Sequence, residues 1–336
     1  MKAIRIHAHG GPEVMRWEEV DLPAPAAGEA RIRHTAIAVN FSDINQRRGG
    51  FYTADPAPMP LILGNEAAGV VESVGPGVTE VGPGDRVTYA GVNAAFYQST
   101  GAYAEQRNMP AGRLVPIPPG ISDRQAAAMM VKGLTASLIV NRVWRPQVRS
   151  GPGETVLIHA AASGVGLILA QWASHLGATV IGTVGSREKA QIAAAHGCRH
   201  TVLYRETDFV AAVRRIAPEG VHAVLDGVGK DTFMASLDCL RPFGMAVNYG
   251  NASGHVPPLD LLDLARRGGL SVSRPGLSHY LKEPGALHAA AAELFGLVAG
   301  GTLRIKIGRT CPLRDAAQAH RDLESRTFAG SAVLIP

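Results

Sequence analysis

ETVLIHAAASGVGLILAQWASHLGATVIGTVGSREK, running from Glu154 to Lys189, is the stretch on which the fold turns. Thr155-Val156-Leu157-Ile158 is apolar, rich in β-branched residues and short enough for a buried strand. A turn of small residues follows, Ala160-Ala161-Ala162-Ser163-Gly164-Val165-Gly166. Leu167, Ala170, Gln171 and Ser174 then recur at helical spacing up to Gly177, a helix stop. Ala178-Thr179-Val180-Ile181 reads as a second strand and leads to Gly182. Strand, tight turn, helix and strand within about 30 residues make a βαβ unit.

The turn carries the chemistry. A dinucleotide fold brings backbone N–H groups up to a pyrophosphate at the positive end of the following helix, so the side chains there must be small. In the G-x-G-x-x-G register the turn is Ala161-x-Ser163-x-x-Gly166, with an extra glycine at 164. The match is degenerate, and an ordinary strand-to-helix turn is the alternative. Its βαβ setting favours the dinucleotide. NAD enzymes place an acid about 20 residues past the glycines to bind the ribose 2′-OH. Here that place reads Gly182-Thr183-Val184-Gly185-Ser186-Arg187-Glu188-Lys189, with no acid at the strand end itself. Ser186, Arg187 and Lys189 suit a 2′-phosphate by hydrogen bonding and charge, so NADPH is the expected cofactor. Alternatively, Ser186 caps a helix whose solvated face holds Arg187 and Lys189; both readings are compatible.

Working outward, 336 residues suit two domains. A hydrophobic share of 46% and a charged share of 18% describe a globular chain with ample core. No apolar run reaches the length of about 18 residues that a membrane span needs, and Met1-Lys2-Ala3-Ile4-Arg5 lacks a signal peptide's apolar region. Cys198, Cys239 and Cys311 form no paired motif, which points to a reducing, cytoplasmic setting and away from a Cys-rich zinc site. The net charge of +5 is dispersed, so neither nucleic acid nor membrane is an expected partner.

The first 123 residues alternate Pro/Gly turns with short strand-like runs, at Ala30–His34, Ala68–Val74 and Asp85–Tyr89. That is a β-rich domain. Residues 124–274 alternate helix and strand instead. Gln125–Val140 is helical; after the βαβ unit, strands are expected at His200–Leu203, Val221–Leu225, Met245–Asn248 and Leu270–Ser273. Helices are expected at Asp208–Ile216, Asp231–Leu240 and Leu259–Arg267. Six strands with crossover helices complete a doubly wound parallel sheet, an α/β class. Residues 275–336 give helices and a last strand, Ser331–Ile335, expected to return to the first domain.

Motifs along the whole chain carry a resemblance. They are His9-Gly10-Gly11-Pro12-Glu13-Val14, Val39-Asn40-Phe41-x-Asp43, Gly64-x-Glu66-Ala67-Ala68-Gly69-Val70-Val71, Lys132-Gly133-Leu134-Thr135, His159-Ala160-Ala161-Ala162-x-Gly164-Val165-Gly166, Ser236-Leu237-Asp238-Cys239-Leu240 and Leu323-Glu324-Ser325-Arg326. With these the chain resembles the zinc-free, zeta-crystallin-like quinone oxidoreductase branch of the medium-chain dehydrogenase/reductase superfamily. The resemblance implies a GroES-like catalytic domain, a Rossmann cofactor domain, a cleft between them, a homodimer and hydride transfer from NADPH to a quinone. An NADPH-dependent enone, 2-alkenal or enoyl-thioester reductase is the alternative, as is a non-catalytic NADPH-binding protein.

What the resemblance implies can be set on residues. Gly164 and Val165 lie on the pyrophosphate turn. Ser186 and Lys189 meet the 2′-phosphate, with Gly185 beside them among the cofactor-binding residues, Tyr204 at the adenosine end and Arg326 reaching the phosphate from the C-terminal segment. Phe41, Thr135, Val228, Tyr249, Gly250 and Asn251 lie along the nicotinamide half. Taken alone, Tyr249 and Val228 read as core residues. On the catalytic side, Asn40 matches a residue that can donate to a quinone oxygen, and alternatively is a turn residue satisfying backbone groups. Tyr52 falls near the cleft mouth. Asn45 replaces a family Tyr, which affects substrate preference more than cofactor use. Zinc-dependent relatives carry Cys near Asn40 and His at Asn65; this chain has Asn at both and no Cys before 198, so no zinc is expected.

Overall fold

The computed structural model describes residues 1–49, 59–91, 100–145, 153–283 and 285–336. Tyr52 lies outside the described residues. The chain divides into two compact units: Met1–Leu134 with Ser278–Ala299 and Ile305–Pro336, and Thr135–Leu277 with Gly300–Arg304.

In the first unit β1 (Lys2–Ile6) pairs antiparallel with β2 (Arg16–Glu19). Strand β3 (Glu29–Val39) is followed by helix α1 (Phe41–Arg48) and by β4 (Leu61–Ile62), which closes on β1. Then come β5 (Glu66–Val74), β6 (Arg86–Ala90), β7 (Gln106–Pro110), β8 (Val115–Pro116) and α2 (Asp123–Leu138). In β3 the buried residues alternate as Ala30, Ile32, His34 and Ala36, the period-two pattern of a strand with one covered face. From Ala36 to Val39 every residue is buried, so the strand runs well past His34, where the sequence reading ended it.

The second unit begins inside α2, which continues as a π-helical turn, Ile139–Trp144. Asp123–Trp144 is long and apolar enough to span a bilayer by length and composition, but 78% of its apolar window is buried within the protein. The sequence reading set the change of domain ahead of this helix; here it falls at Leu134. The first half of α2 is bound into the first unit: Ser331 Oγ donates to Ala128 O at 3.1 Å and Val131 N–H to Glu66. There follow β9 (Thr155–Ile158), α3 (Gly164–His175), β10 (Thr179–Val184), α4 (Arg187–Ala194), β11 (His200–Leu203), α5 (Phe209–Ile216), β12 (Val221–Asp226), α6 (Phe233–Ser236), β13 (Leu240–Asn248), α7 (Leu261–Arg266) and β14 (Ser271–Ser273).

These strands form one parallel sheet in the order β11-β10-β9-β12-β13-β14. This is the doubly wound order, and it reverses between β9 and β12, so ligands are expected at the carboxyl ends of those strands. Leu157, Ile181, Val202, Val224 and Ala246, one from each of five strands, share a core with Phe233 and Leu237. The helix expected over 231–240 is shorter: α6 passes into a 3-10 turn, Leu237–Cys239, because β13 already starts at Leu240.

The chain then passes through α8 (Leu277–Tyr280) and α9 (Ala286–Ala299). Strand β15 (Ile307–Pro312), α10 (Ala316–Glu324) and β16 (Ser331–Ile335) complete the first unit. There β16 pairs antiparallel with β3, giving the order β15-β16-β3-β5-β6-β8, with β7 also on β3. Ile4, Ile6, Ile32, Ile37, Leu63, Val87, Tyr89 and Leu334 fill its core.

Candidate active site

In the second unit the site grows from the β9–α3 turn. Ala160 takes a left-handed φ of 51°, and Ser163 caps α3, its Oγ accepting from Gly166 N–H at 3.1 Å. A Cβ on Gly166 would lie 2.4 Å from Ala160 O, so only glycine lets helix and strand meet here. Gly164 and Val165 form the first turn of α3, whose backbone N–H groups lack helical partners and favour an anion. His159, buried at the end of β9, ties three elements together: Nδ1 lies 3.0 Å from Thr183 Oγ1 and Nε2 2.8 Å from Ser236 Oγ. Burial lowers its pKa and keeps it neutral.

At the ends of β10 and β11, Gly185, Ser186 and Tyr204 come together. A Cβ on Gly185 would sit 2.8 Å from Tyr204 Oη and 3.4 Å from Arg205 Nε. Ser186 caps α4, accepting from Lys189 N–H at 3.3 Å, so the capping alternative holds. Its side chain is exposed, which leaves the hydroxyl open to a ligand as well. Arg187 instead turns to Glu206 at 3.5 Å, both exposed. Arg205 went unnoticed in the sequence; a cation directly after Tyr204 was the available signal.

At the ends of β12 and β13, Asp226 is fully buried and fixes the turn that carries Val228. Its Oδ1 accepts from Val228 N–H (2.6 Å) and Gly229 N–H (3.1 Å), and its Oδ2 from Thr232 Oγ1 (2.8 Å). The Tyr249 ring packs on Gly227, where a Cβ would come within 2.7 Å. Ser253 N–H donates to Val228 O at 2.8 Å and Ala252 N–H to Gly227 O at 3.2 Å. Val228, Tyr249, Gly250 and Asn251 are therefore neighbours at the carboxyl ends of β12 and β13, next to the reversal of strand order. Tyr249 is half-buried and packed on the backbone. Thr135 lies half-buried on α2. Phe41, at the start of α1, and Arg326, exposed with φ 56°, lie in the first unit.

The first unit holds the catalytic candidates that the structure describes. Asn40 caps α1, and Asp43 accepts from its backbone N–H at 2.9 Å. The Asn40 side chain completes the capping box at the start of α1, as the turn reading had it, and it makes two further buried contacts. Its Oδ1 accepts from Lys132 Nζ at 2.8 Å and its Nδ2 donates to Glu66 Oε1 at 2.8 Å. Asn45 stands half-buried inside α1 rather than in a loop. Behind Asn40 runs a buried chain that sequence reasoning missed. Arg47 Nη1 lies 3.0 Å from His320 Nδ1, His320 Nε2 3.0 Å from Tyr103 Oη, and Tyr103 donates to Asp43 Oδ2 at 3.0 Å. Since Arg47 can only donate, His320 is neutral with its proton on Nε2. Burial pushes Asp43 up to about 6, against the hydrogen bonds that favour its charge. These residues are scattered from 43 to 320, and only the fold assembles them.

Residues 26–119 match the family model for the alcohol dehydrogenase GroES-like domain, and residues 164–290 that for zinc-binding dehydrogenases. A 2-haloacrylate reductase of Burkholderia sp is 43% identical, over 98% of this chain and 98% of its own. A quinone oxidoreductase of Pseudomonas aeruginosa is 43% identical, over 100% of this chain and 99% of its own. The solved structure of Escherichia coli quinone oxidoreductase complexed with NADPH is 41% identical, covers 100% of both chains and superposes with a TM-score of 0.92. The chain belongs to the medium-chain dehydrogenase/reductase superfamily, in its quinone oxidoreductase branch.

Zinc, implied by the name of one family model, does not fit this member of the superfamily. Zinc takes thiolates, imidazoles or carboxylates. Here Asn40 and Asn65 offer amides, and the ammonium of Lys132 is already 2.7 Å from Glu66 Oε1. Among the described residues no group of three or more His, Cys, Asp or Glu converges. A phosphorylated dinucleotide does fit the second unit: the helix start at Gly164 and the open hydroxyl, phenol and guanidinium at Ser186, Tyr204 and Arg205 suit its phosphates.

Proposed function

We propose that this medium-chain reductase transfers hydride from NADPH to a quinone without a metal. The observation that carries the cofactor is the strand-end cluster of Gly185, Ser186, Tyr204 and Arg205, which holds no acid for a ribose 2′-OH and offers donors to a 2′-phosphate. Full-length similarity to quinone oxidoreductases supports the acceptor. When bound, NADPH supplies the hydride from its nicotinamide ring. Gly164 and Val165 hold the pyrophosphate through backbone N–H groups, and Ser186, Lys189, Tyr204 and Arg205 take the adenosine phosphate. Thr135, Val228 and the Tyr249-Gly250-Asn251 turn orient the nicotinamide half. Asn40 donates from Nδ2 to the quinone oxygen that gains charge, which lowers the barrier as an oxyanion donor does. Tyr52 and Asn45 shape the acceptor's place, and the hydroquinone anion takes its proton from water.

A second reading has one observation behind it: the 2-haloacrylate reductase is as similar as the quinone reductases, which supports an activated alkene as acceptor. NADPH oxidation measured against 1,4-benzoquinone, 9,10-phenanthrenequinone, 2-alkenals, 2-chloroacrylate and an enoyl thioester decides between them. Turnover of alkenes alone would replace the quinone reading.

We further infer a homodimer. Strand β14 ends the parallel sheet, and Phe243, Leu261, Leu262 and Val272 expose apolar side chains on the same unit. A terminal strand beside exposed apolar residues favours a second copy. Light scattering should give twice the chain mass of 35.2 kDa, and Val272→Lys with Phe243→Ser should halve it.

A further inference from the structure

Lys132 and Glu66 have no part in the function just proposed, yet both bind its donor residue. Lys132 lies on α2 directly before Gly133, where a Cβ would come 2.3 Å from Leu294 Cδ2. Glycine at 133 thus lets α9 pack closely on α2 beside Lys132. Lys132, Glu66 and Asn40 are 6%, 0% and 7% exposed. They close a triangle: Lys132 Nζ to Asn40 Oδ1 at 2.8 Å, Lys132 Nζ to Glu66 Oε1 at 2.7 Å, and Asn40 Nδ2 to the same Glu66 oxygen at 2.8 Å. The other carboxylate oxygen accepts from Val131 N–H at 2.5 Å, which anchors Glu66 to the backbone of α2.

The triangle allows the Asn40 amide one orientation. Turned over, it would set NH2 against an ammonium and a carbonyl against a carboxylate. Nδ2 carries two N–H groups, and Glu66 takes one. The second is left in a fixed direction. An amide whose carbonyl accepts from an ammonium is also a stronger donor, because hydrogen bonds in a low-dielectric setting polarise one another. We propose that Lys132, paired with Glu66, is a positioning residue: it locks and polarises the Asn40 amide so that the second Nδ2–H meets the acceptor oxygen as charge develops there.

The inference rests on the proposed role of Asn40 in quinone reduction, and the experiment separates the two. Lys132→Met alone leaves a buried carboxylate unpaired and risks the fold. The working variant is therefore Lys132→Met with Glu66→Gln, which removes both charges and keeps an acceptor for Val131; Lys132→Gln is the second. With NADPH and 9,10-phenanthrenequinone, each should lose about ten- to a hundredfold in kcat with little change in KM, as expected for a contact made mainly in the transition state. Asn40→Ala should lose at least as much. Introduced into Asn40→Ala, the Lys132 changes should cost less than about twofold more, since residues acting through one another are not additive. In the protein labelled with 15N-asparagine, the side-chain NH2 signal missing from Asn40→Ala should show two well-separated protons. These should draw together when Lys132 is changed. If Asn40→Ala keeps full kcat, the reading of Asn40 in the function fails. If Asn40→Ala is slow but the Lys132 changes cost the same factor with and without Asn40, or leave the Asn40 NH2 signal unmoved, the positioning role is overturned and the function stands.

Discussion

At the scale of single residues, the structure separates Arg187, which the sequence assigned to the phosphate, from Arg205, which it passed over. Arg187 is paired with Glu206 on the surface, whereas Arg205 stands against Gly185 beside Tyr204. Arg205→Ala should therefore raise the Kd for NADPH about tenfold and leave NADH nearly unchanged, since one charge-assisted hydrogen bond contributes about 1.5–3 kcal/mol. Arg187→Ala should change neither. Fluorescence titration of both cofactors checks this, and the opposite ranking would return the phosphate to Arg187. Tyr204 came only from the family resemblance, whereas Ser186 was legible as a cap because a cap is a local feature. Lys132, Glu66 and the His320–Tyr103–Asp43 chain were not, because their partners lie far off in sequence and no local pattern marks a buried polar contact. Asn45 has an expectation of its own: Asn45→Tyr restores a ring on α1 and narrows the space for acceptors. The ratio of kcat/KM for 1,4-benzoquinone over 9,10-phenanthrenequinone should rise, while NADPH affinity moves little. An unmoved ratio would take Asn45 out of the acceptor's surroundings.

At the scale of elements, legibility followed burial. Strand β9 was readable to the residue, because Thr155–Ile158 is a β-branched run bounded by polar and small residues. The end of β3 was not, because a strand covered on both faces loses its alternation. The turn between β9 and α3 gives the sharpest test of element packing. At Gly166 a Cβ would meet a backbone oxygen, which cannot rotate away; at Gly133 it would meet the tip of Leu294, a side chain that can. Gly166→Ala should thus lower stability by about 1–3 kcal/mol, the usual range for overpacking, and weaken NADPH binding by displacing the start of α3. Gly133→Ala should cost less and spare the cofactor. Urea unfolding with and without NADPH reads both, and equal losses from the two variants would show that the β9–α3 contact is not the tighter one.

At the scale of the whole molecule, buried titratable groups set how stability responds to acid. His34 is held neutral between Ala104 O and Tyr89 Oη, and burial depresses it to about 4. His320 sits between Arg47 and Tyr103, and burial, with the Arg47 charge beside it, depresses it to about 3. For both, the unfolded chain binds a proton that the folded chain refuses once the pH drops below 6.5, so stability falls from there downward. At pH 5 each should cost about 2 kcal/mol relative to pH 7.5, at 1.36 kcal/mol per unit. Asp43 acts the other way: its folded pKa of about 6 lies above the ordinary 3.8, so it regains stability as the pH falls through 6. That recovers about 1 kcal/mol at pH 5 and does not offset two histidines. The thermal midpoint should therefore drop between pH 7.5 and pH 5. His320→Gln keeps an acceptor for Arg47 and a donor for Tyr103 but takes up no proton. It should be somewhat less stable than the wild type at pH 7.5 and lose clearly less on going to pH 5. Calorimetric scans of both proteins at the two pH values decide it. An equal drop in both would mean that His320 is not among the groups through which acid unfolds this protein.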